Sequence, residues 1–286
     1  MKQINQEVKN LNDLWFYENH TPGYEVRWKI KDILHDEKSD YQQISILETF
    51  ELGRIMTLDG ALQVSDRDEF IYHEMIAHVP LAIHPEPEKI LIIGGGDGGA
   101  LREVLRHHRV KNVAMIEIDR RVTELSRQYF PDISSGLDDP RARVDFADGV
   151  KYMAETNELY DVVIVDSSDP VGPAVQLFSY EFYQNCFARL HDDGILVVQS
   201  ESPFFYGETF VNTYKNIAAI FPQTMSYLTT MPGYISGPWA FTLGSKKYDP
   251  LVPAAEREAI AGMKYYNEEV HSAAFVLPQY IKEMLR

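Results

Sequence analysis

The sequence predicts an α/β protein in which a small antiparallel β domain precedes a mostly parallel sheet covered by helices on both faces. Two observations carry that expectation. Before residue 65, apolar side chains alternate with polar ones, the period of half-buried strands. Tyr24, Val26, Trp28 and Ile30 form the clearest such run. From Ile90 onward, short continuous apolar runs such as Val162-Val-Ile-Val165 alternate with helical segments. That is the pattern of strand–helix–strand units whose strands are buried on both faces.

Each element has its own local reason. Residues 41–50 and 54–58 continue the N-terminal alternation, and Asp59-Gly60 has hairpin-turn composition before residues 61–64. Ser65 is placed to cap a helix, with Asp66, Asp68 and Glu69 in its first turn. That helix runs through Phe70, Tyr72, His73 and Met75 towards Val79-Pro80, and His84-Pro-Glu-Pro is a linker. Further strands are expected at 90–93, 113–118, 143–147, 161–166 and 195–200. Helices are expected at 99–107, 120–130, 149–156, 179–190 and 207–221. Residues 224–231 and 239–243 suit an antiparallel pair at one sheet edge, and a helix around 279–285 closes the chain. The expected domains are 1–64, the β domain, and 65–286, the catalytic domain.

Composition bounds the function. The 286 residues suffice for one large and one small domain, and a hydrophobic content of 45% supports a sizeable core. A formal net charge of -16 argues against nucleic acid, whose phosphates need Lys and Arg. It suits cationic small molecules, although acidity also serves solubility. Cys186 is the only cysteine, which rules out an intramolecular disulfide and fits a reducing cytoplasm. Its apolar setting in residues 182–190 makes it a small core residue rather than a nucleophile. Residues 1–7 lack an apolar signal core, no run approaches a membrane span, and no Cys/His cluster has zinc spacing. The expectation is a cytoplasmic protein without metal, membrane or nucleic-acid partner.

The chemistry is concentrated after the strands. Ile90-Leu-Ile-Ile93 runs into Gly94-Gly-Gly-Asp-Gly-Gly99, and Gly94, Gly96 and Gly99 have the G-x-G-x-x-G spacing of a nucleotide-binding turn. Asp97 sits inside that turn. It would repel the pyrophosphate such turns hold at a helix N-terminus and would attract a cation. Ligands of open α/β sheets bind beyond the carboxyl ends of the strands, and four successive strands here end in acids. These are Asp97, then Glu117 and Asp119, then Asp148-Gly149, then Asp166 and Asp169. Glu117, about 20 residues after the turn, suits ribose hydroxyls. Asp119 suits a helix cap. Asp148 suits either a cap or the adenine amino group. Asp169 before Pro170 is also an ordinary turn-former. Together the acids imply a cationic guest, because clustered carboxylates repel one another. The long segment Asp166–Phe178, with Gly172 and Pro173 in its middle, has the make-up of a lid.

Four motifs, in order, resemble the spermidine synthase family of polyamine aminopropyltransferases. They are Asp68-Glu-Phe-Ile-Tyr-His-Glu-Met75, Gly94-Gly-Gly-Asp-Gly-Gly99, Asp166-Ser-Ser-Asp-Pro170 with Gly172-Pro173, and His271-Ser-Ala-Ala-Phe-Val-Leu-Pro278. The resemblance runs from about Tyr24 to the C-terminus. It implies an N-terminal β domain joined to a Rossmann-like, class I methyltransferase-like domain. It also implies transfer of an aminopropyl group from decarboxylated S-adenosylmethionine to a diamine, leaving methylthioadenosine. Carried over by position, Gln42, Gly94, Gly96, Glu117, Asp148, Gly149 and Pro173 contact the donor nucleoside, and Asp97 its ammonium. Tyr72, His73, Asp169 and Tyr234 position the amine, Asp166 accepts its proton, and Gln63 and Gln199 lie near the acceptor. The resemblance implies no cofactor beyond the co-substrate, no metal, and a homodimer or homotetramer. Two segments depart from the commonest family pattern, Met231-Pro-Gly-Tyr-Ile-Ser-Gly237 and Gln199-Ser-Glu-Ser-Pro203. Putrescine is the first acceptor, with agmatine or a longer amine as alternatives.

Three rival classes share some of these features. A dinucleotide dehydrogenase shares the glycine spacing and Glu117, but its pyrophosphate would face Asp97. An S-adenosylmethionine-dependent methyltransferase shares the turn and the ribose acid, but Asp97 better suits a donor whose carboxylate is gone. A polyamine-binding protein without catalysis needs only the acidic cleft and leaves Asp166 without a task.

Overall fold

The computed structural model describes residues 14–286 except 171, 235–236 and 256–259. The side chain of Pro173 and residues 1–7, with the expectations placed on them, lie outside the described residues. The chain divides into two compact units, Met1–Glu69 and Phe70–Arg286.

The first unit is a five-stranded antiparallel sheet in sequential order: β1 (Trp15–Thr21), β2 (Tyr24–Lys38), β3 (Gln43–Thr49), β4 (Arg54–Leu58) and β5 (Ala61–Ser65). Strand β1 was not among the expected elements. Its one fully buried residue is Glu18, whose Oε1 accepts from Leu62 N at 2.9 Å, so a polar residue occupies the inward position that periodicity assigns to an apolar one. The Asp59-Gly60 turn is as expected. Both residues have positive φ, 48° and 81°, which is the type I′ geometry that matches strand twist.

The expected helix start at Ser65 is corrected. Ser65 pairs with Ile55 as the last residue of β5, and helix α1 is Glu69–Ile83. The Ser65 hydroxyl instead accepts from the Arg67 and Asp68 N–H groups at 3.3 Å each, capping a turn rather than a helix. At its other end α1 passes through Pro80. Proline removes one donor near the last turn, and the His84 N–H returns to the Pro80 carbonyl at 3.1 Å.

The second unit is a seven-stranded sheet. Its members are β6 (Lys89–Gly94), β7 (Asn112–Glu117), β8 (Ala142–Phe146), β9 (Tyr160–Asp166), β10 (Leu190–Gln199), β11 (Gln223–Thr229) and β12 (Trp239–Ser245), in the order β11-β12-β10-β9-β6-β7-β8. Strands β10, β9, β6, β7 and β8 run parallel, and β12 and β11 add antiparallel pairs at one edge. The connecting helices are α2 (Gly99–Leu105), α3 (Arg120–Tyr129), α4 (Gly149–Glu155), α5 (Tyr180–Ala188) and α6 (Gly207–Ala218), followed by α7 (Glu268–Ala274) and α8 (Gln279–Met284). From β6 the chain builds outward to β7 and β8, then returns to place β9 and β10 on the other side. The topological switch point, where ligands of such sheets bind, therefore lies between β6 and β9. Cys186 is fully buried and its thiol is pushed up by that burial, as its core assignment requires. Among the described residues no helix is long and apolar enough to cross a membrane.

Helix α1 is buried from Ile71 through Ile83 and anchors the C-terminal segment. The Glu74 carboxylate accepts from the backbone N–H groups of Lys264, Tyr265 and Tyr266, each at 2.8 Å. Leaving a buried donor unpaired costs about 1–3 kcal/mol. Glu74→Ala is therefore expected to lower unfolding free energy by about 3 kcal/mol or more, read from denaturant titration, while Glu269→Ala, exposed on α7, changes it by less than about 0.5 kcal/mol.

Candidate active site

The glycine turn closes directly onto the end of β9. Gly94 has φ 82°, and a Cβ there would stand 2.2 Å from the Asp166 carbonyl oxygen. The Gly95 N–H donates to that same carbonyl at 2.8 Å. A Cβ on Gly96 would meet Glu117 Oε2 at 2.8 Å. The glycines thus permit close approach of β9 and of the β7 carboxylate.

Asp97 sits at the start of α2. Its Oδ1 accepts from the Gly99 N–H at 2.6 Å, with His73 Nε2 at 3.4 Å. Burial pushes this carboxyl up, but His73 and the Gly99 N–H outweigh it and hold Asp97 below its ordinary value. Asp97 is therefore ionised.

Glu117, at the end of β7, is buried, and its Oε1 accepts from the Asp119 N–H at 2.8 Å. Burial, with Asp119, Asp166 and Asp97 nearby, pushes its carboxyl up to about 7. Asp119 caps α3 by accepting from the Arg121 N–H at 3.0 Å. Asp148 caps α4 through Oδ1, which accepts from Val150 N at 2.8 Å and Lys151 N at 3.2 Å. Gly149 is the first residue of that helix, where a Cβ would meet Ile93 Cγ2 at 2.5 Å.

Asp166 ends β9. The Tyr72 hydroxyl, from α1, donates to its Oδ1 at 2.7 Å. Its Oδ2 is buried without a hydrogen-bond partner. Burial and the Asp97 charge push this carboxyl up to about 6, against the opposing pull of His73 and Tyr72. Tyr72 is itself buried, and burial together with Asp166 raises its pKa well above the ordinary value, so it stays a neutral donor. Its ring stands edge-on to Tyr234, with centroids 6.1 Å apart, and Tyr234 packs on Trp239 at 4.8 Å. The structure thus brings together Tyr72, His73, the Gly94–Asp97 turn, Glu117 and Asp166.

Asp169 lies in the half-buried loop after β9. Gln199, at the end of β10, ties that loop down. Its Nε2 donates to the Ser167 carbonyl at 3.2 Å and its Oε1 accepts from the Glu201 N–H at 3.0 Å. Gly172 opens a 3₁₀ segment, Gly172–Phe178, with φ 57°. Gln42, between β2 and β3, and Gln63, on β5, belong to the first unit.

Glu201 was missed from sequence. It is 1% exposed, has φ 66°, and neither carboxylate oxygen has a hydrogen-bond partner. Burial and the Asp169 carboxylate push its carboxyl well above the ordinary range. The signal was present, since Glu201 follows the end of a fifth parallel strand just as the other acids follow theirs.

The assembled site holds several carboxyl groups at the switch point; Glu117 and Asp166 are raised by burial and further by neighbouring acids, and the His73 imidazole stands against Asp97. Such a site favours a cationic guest, because a positive charge relieves both burial and mutual repulsion.

Comparison with known proteins agrees with this chemistry. The spermine/spermidine synthase domain matches residues 69–255, and the spermidine synthase tetramerisation domain matches residues 14–66. The chain is 48% identical over 274 residues to a polyamine aminopropyltransferase of Caldicellulosiruptor bescii, covering 96% of this chain and 99% of that one. It is 43% identical over 276 residues to a polyamine aminopropyltransferase of Bacillus subtilis, covering 96% and 100%. A crystal structure of spermidine synthase in complex with the transition-state analogue AdoDATO superposes with TM-score 0.92 at 40% identity, covering 100% of this chain and 99% of that one. Spermidine synthase from Thermotoga maritima superposes with TM-score 0.89 at 39% identity, covering 99% of each.

The raised Asp166 carboxyl has a stability consequence. A carboxyl held at about 6 in the folded protein, against 3.8 ordinarily, favours folding at low pH, and that advantage is lost as pH rises through about 6. The ligand-free protein therefore carries a cost of about 3 kcal/mol at pH 8. Asp166→Asn is expected to be more stable than the parent at pH 8 but not at pH 4, measured by denaturant unfolding at both pH values.

Proposed function

The chain belongs to the spermine/spermidine synthase family, and on that premise we propose that it transfers the aminopropyl group of decarboxylated S-adenosylmethionine to putrescine. The products are spermidine and methylthioadenosine. The observation that carries this reading is Asp166, whose Oδ2 is buried and unpaired while Tyr72 holds Oδ1. A dinucleotide gives that oxygen no donor to meet, and a binding-only function would use it for an ion pair but not as a proton acceptor. Asp97, ionised within the glycine turn, suits a donor that ends in a lone ammonium; an intact S-adenosylmethionine would bring its carboxylate beside it.

In this mechanism Glu117 holds the ribose hydroxyls, Asp148 and the Gly149 backbone meet the adenine, and Gly94 and Gly96 let the nucleoside approach. Asp97 anchors the aminopropyl ammonium, with His73 fixing its orientation. The acceptor amine lies against Asp166, positioned by Tyr72 and Tyr234. Asp169, with Glu201 behind it, takes the amine's far end. The neutral amine attacks the methylene next to sulfur in line, the new C–N bond forms as the C–S bond breaks, and the electron pair returns to sulfur. The sulfonium becomes a neutral thioether and the amine proton passes to Asp166. A primary ammonium near 10 facing a carboxylate near 6 makes full deprotonation cost roughly 5 kcal/mol, a gap that desolvation of the amine narrows. Positioning supplies much of the remaining rate. The leaving group is already activated, so the proposed reaction calls on no metal or further cofactor. We also take the protein to be a homo-oligomer, on the support of the tetramerisation-domain match, and place it in the cytoplasm.

The primary test is release of methylthioadenosine on mixing the protein with decarboxylated S-adenosylmethionine and each of putrescine, cadaverine, agmatine and spermidine. Putrescine is expected to give the highest kcat/KM, and release with no amine in the panel would reject the reading. Asp166→Asn is expected to lose at least about 100-fold in kcat, the scale of a positioned proton acceptor, with donor affinity within about twofold. In the parent, kcat/KM is expected to fall as pH drops through about 6, because the reactive form is the ionised one. Asp97→Ala is expected to weaken decarboxylated S-adenosylmethionine at least about tenfold more than methylthioadenosine, which lacks the ammonium, as measured by calorimetric titration.

A further inference from the structure

Gly99, the third glycine of the turn, opens α2 and is buried. In nucleotide-binding turns that glycine makes room for close packing of the helix on its strand. Here it makes room for a side chain. An ideal Cβ on Gly99 would fall on the His73 imidazole, nearest Cε1 and Nδ1 and 2.5 Å from Nε2, and no strand atom is among its three closest neighbours. The backbone does not call for glycine, because Gly99 lies outside the left-handed region that Gly94, Gly95 and Gly98 occupy. Alanine forms helix better than glycine. Among the described residues, the ring of His73 is what stands in its way.

That ring cannot step aside without consequence. His73 is buried on α1 between Tyr72 and Glu74, and the partners of those two residues fix the helix on both sides. Its imidazole stands edge-on to Tyr72, with centroids 5.5 Å apart. Nε2 lies 3.4 Å from Asp97 Oδ1, and the same oxygen accepts from the Gly99 N–H at 2.6 Å. Gly99 therefore serves both members of the pair. Its N–H holds the carboxylate, and its bare Cα seats the ring. Against burial, His73 does most to hold the Asp97 carboxyl low, and the Gly99 N–H adds to it.

We propose that Gly99 is a positioning residue for the donor: it seats the His73 imidazole against Asp97, so that the carboxylate faces the aminopropyl ammonium. This rests on the proposed transfer, in which Asp97 anchors that ammonium. A Cβ at position 99 pushes the ring off the turn and breaks the contact that orders Asp97. The nucleoside half of the donor, held in that mechanism by Glu117, Asp148 and Gly149, keeps its partners. The signature is therefore lost preference for the charged donor, not lost nucleoside binding. Residues in direct contact couple energetically, so removing the ring should also remove the penalty of the added methyl group.

The test is a double-mutant cycle of the parent chain, Gly99→Ala, His73→Ala and the two combined. Decarboxylated S-adenosylmethionine and methylthioadenosine are titrated calorimetrically into each, and each is unfolded in denaturant. Gly99→Ala alone is expected to weaken the charged donor at least about tenfold and methylthioadenosine less than about threefold, and to lower the unfolding midpoint. With the ring gone, the same substitution is expected to raise the midpoint and to change donor affinity less than about twofold. Should His73→Ala not fold, His73→Ser removes the same ring. Gly99→Ala that fails to fold alone but folds beside His73→Ala supports the seat. Equal weakening of both nucleosides by Gly99→Ala, no weakening, or the same losses with and without the ring would overturn the proposal. A parent that binds the two nucleosides equally rejects the Asp97 anchor instead, and the reversal of the midpoint then still decides the seat.

Discussion

Asp97, Glu117 and Asp166 place three carboxyl groups within one electrostatic neighbourhood at the carboxyl end of a parallel sheet, and the rest of the site is arranged around their repulsion. Burial raises Glu117 and Asp166 most, and the neighbouring acids add to it: Asp97 and Asp166 raise Glu117, and Asp97 raises Asp166. The ligand-free fold meets that repulsion in two ways. It discharges one acid through His73 and the start of α2, so that Asp97 stays ionised. It lets the other two drift up towards neutrality. A cationic ligand reverses the balance, because it returns to the buried acids the counter-charge that the protein does not itself provide. The site is thus a stored preference for positive charge, held by burial.

Helix α1 is what makes this arrangement rigid. Three consecutive residues, Tyr72, His73 and Glu74, point about 100° apart around the helix and meet three different partners. Tyr72 fixes Asp166, His73 fixes Asp97, and Glu74 holds the backbone of residues 264–266. A helix buried from Ile71 to Ile83 can carry three polar residues in sequence only because each finds a specific acceptor or donor. Loss of helical register would therefore cost the whole set together.

The parallel sheet and its acids were legible in the sequence because their signals are local. An apolar run followed at once by an acid marks both the strand and the strand end in β7 and β9, and in β6 the run leads into the glycine turn that carries Asp97. Asp119 was legible as a cap for the same reason, and Asp148 as either a cap or an adenine contact; both do cap their helices. What escaped depends on distant partners. Strand β1 turns inward a glutamate that answers an N–H 44 residues away. Ser65 has the composition of a helix cap, but pairing with Ile55 keeps it in the sheet. Glu74 looks like a surface acid on a helix until residues 264–266 fold back onto it. Glu201 lies beyond a strand end, yet its left-handed backbone and buried carboxylate follow from the β10 and β12 pairing around it. Its role emerges only beside Asp169.

The acids of the cleft take up protons when it is empty and give them up to a positive guest. The direct measurement is the number of protons released on binding at pH 6, obtained by calorimetry in buffers of differing ionisation enthalpy. Decarboxylated S-adenosylmethionine, with its sulfonium and ammonium, should release a substantial fraction of a proton per chain, and neutral methylthioadenosine should release far less. Equal release by the two, or none by the cation, would contradict the claim that crowded carboxylates select the ligand.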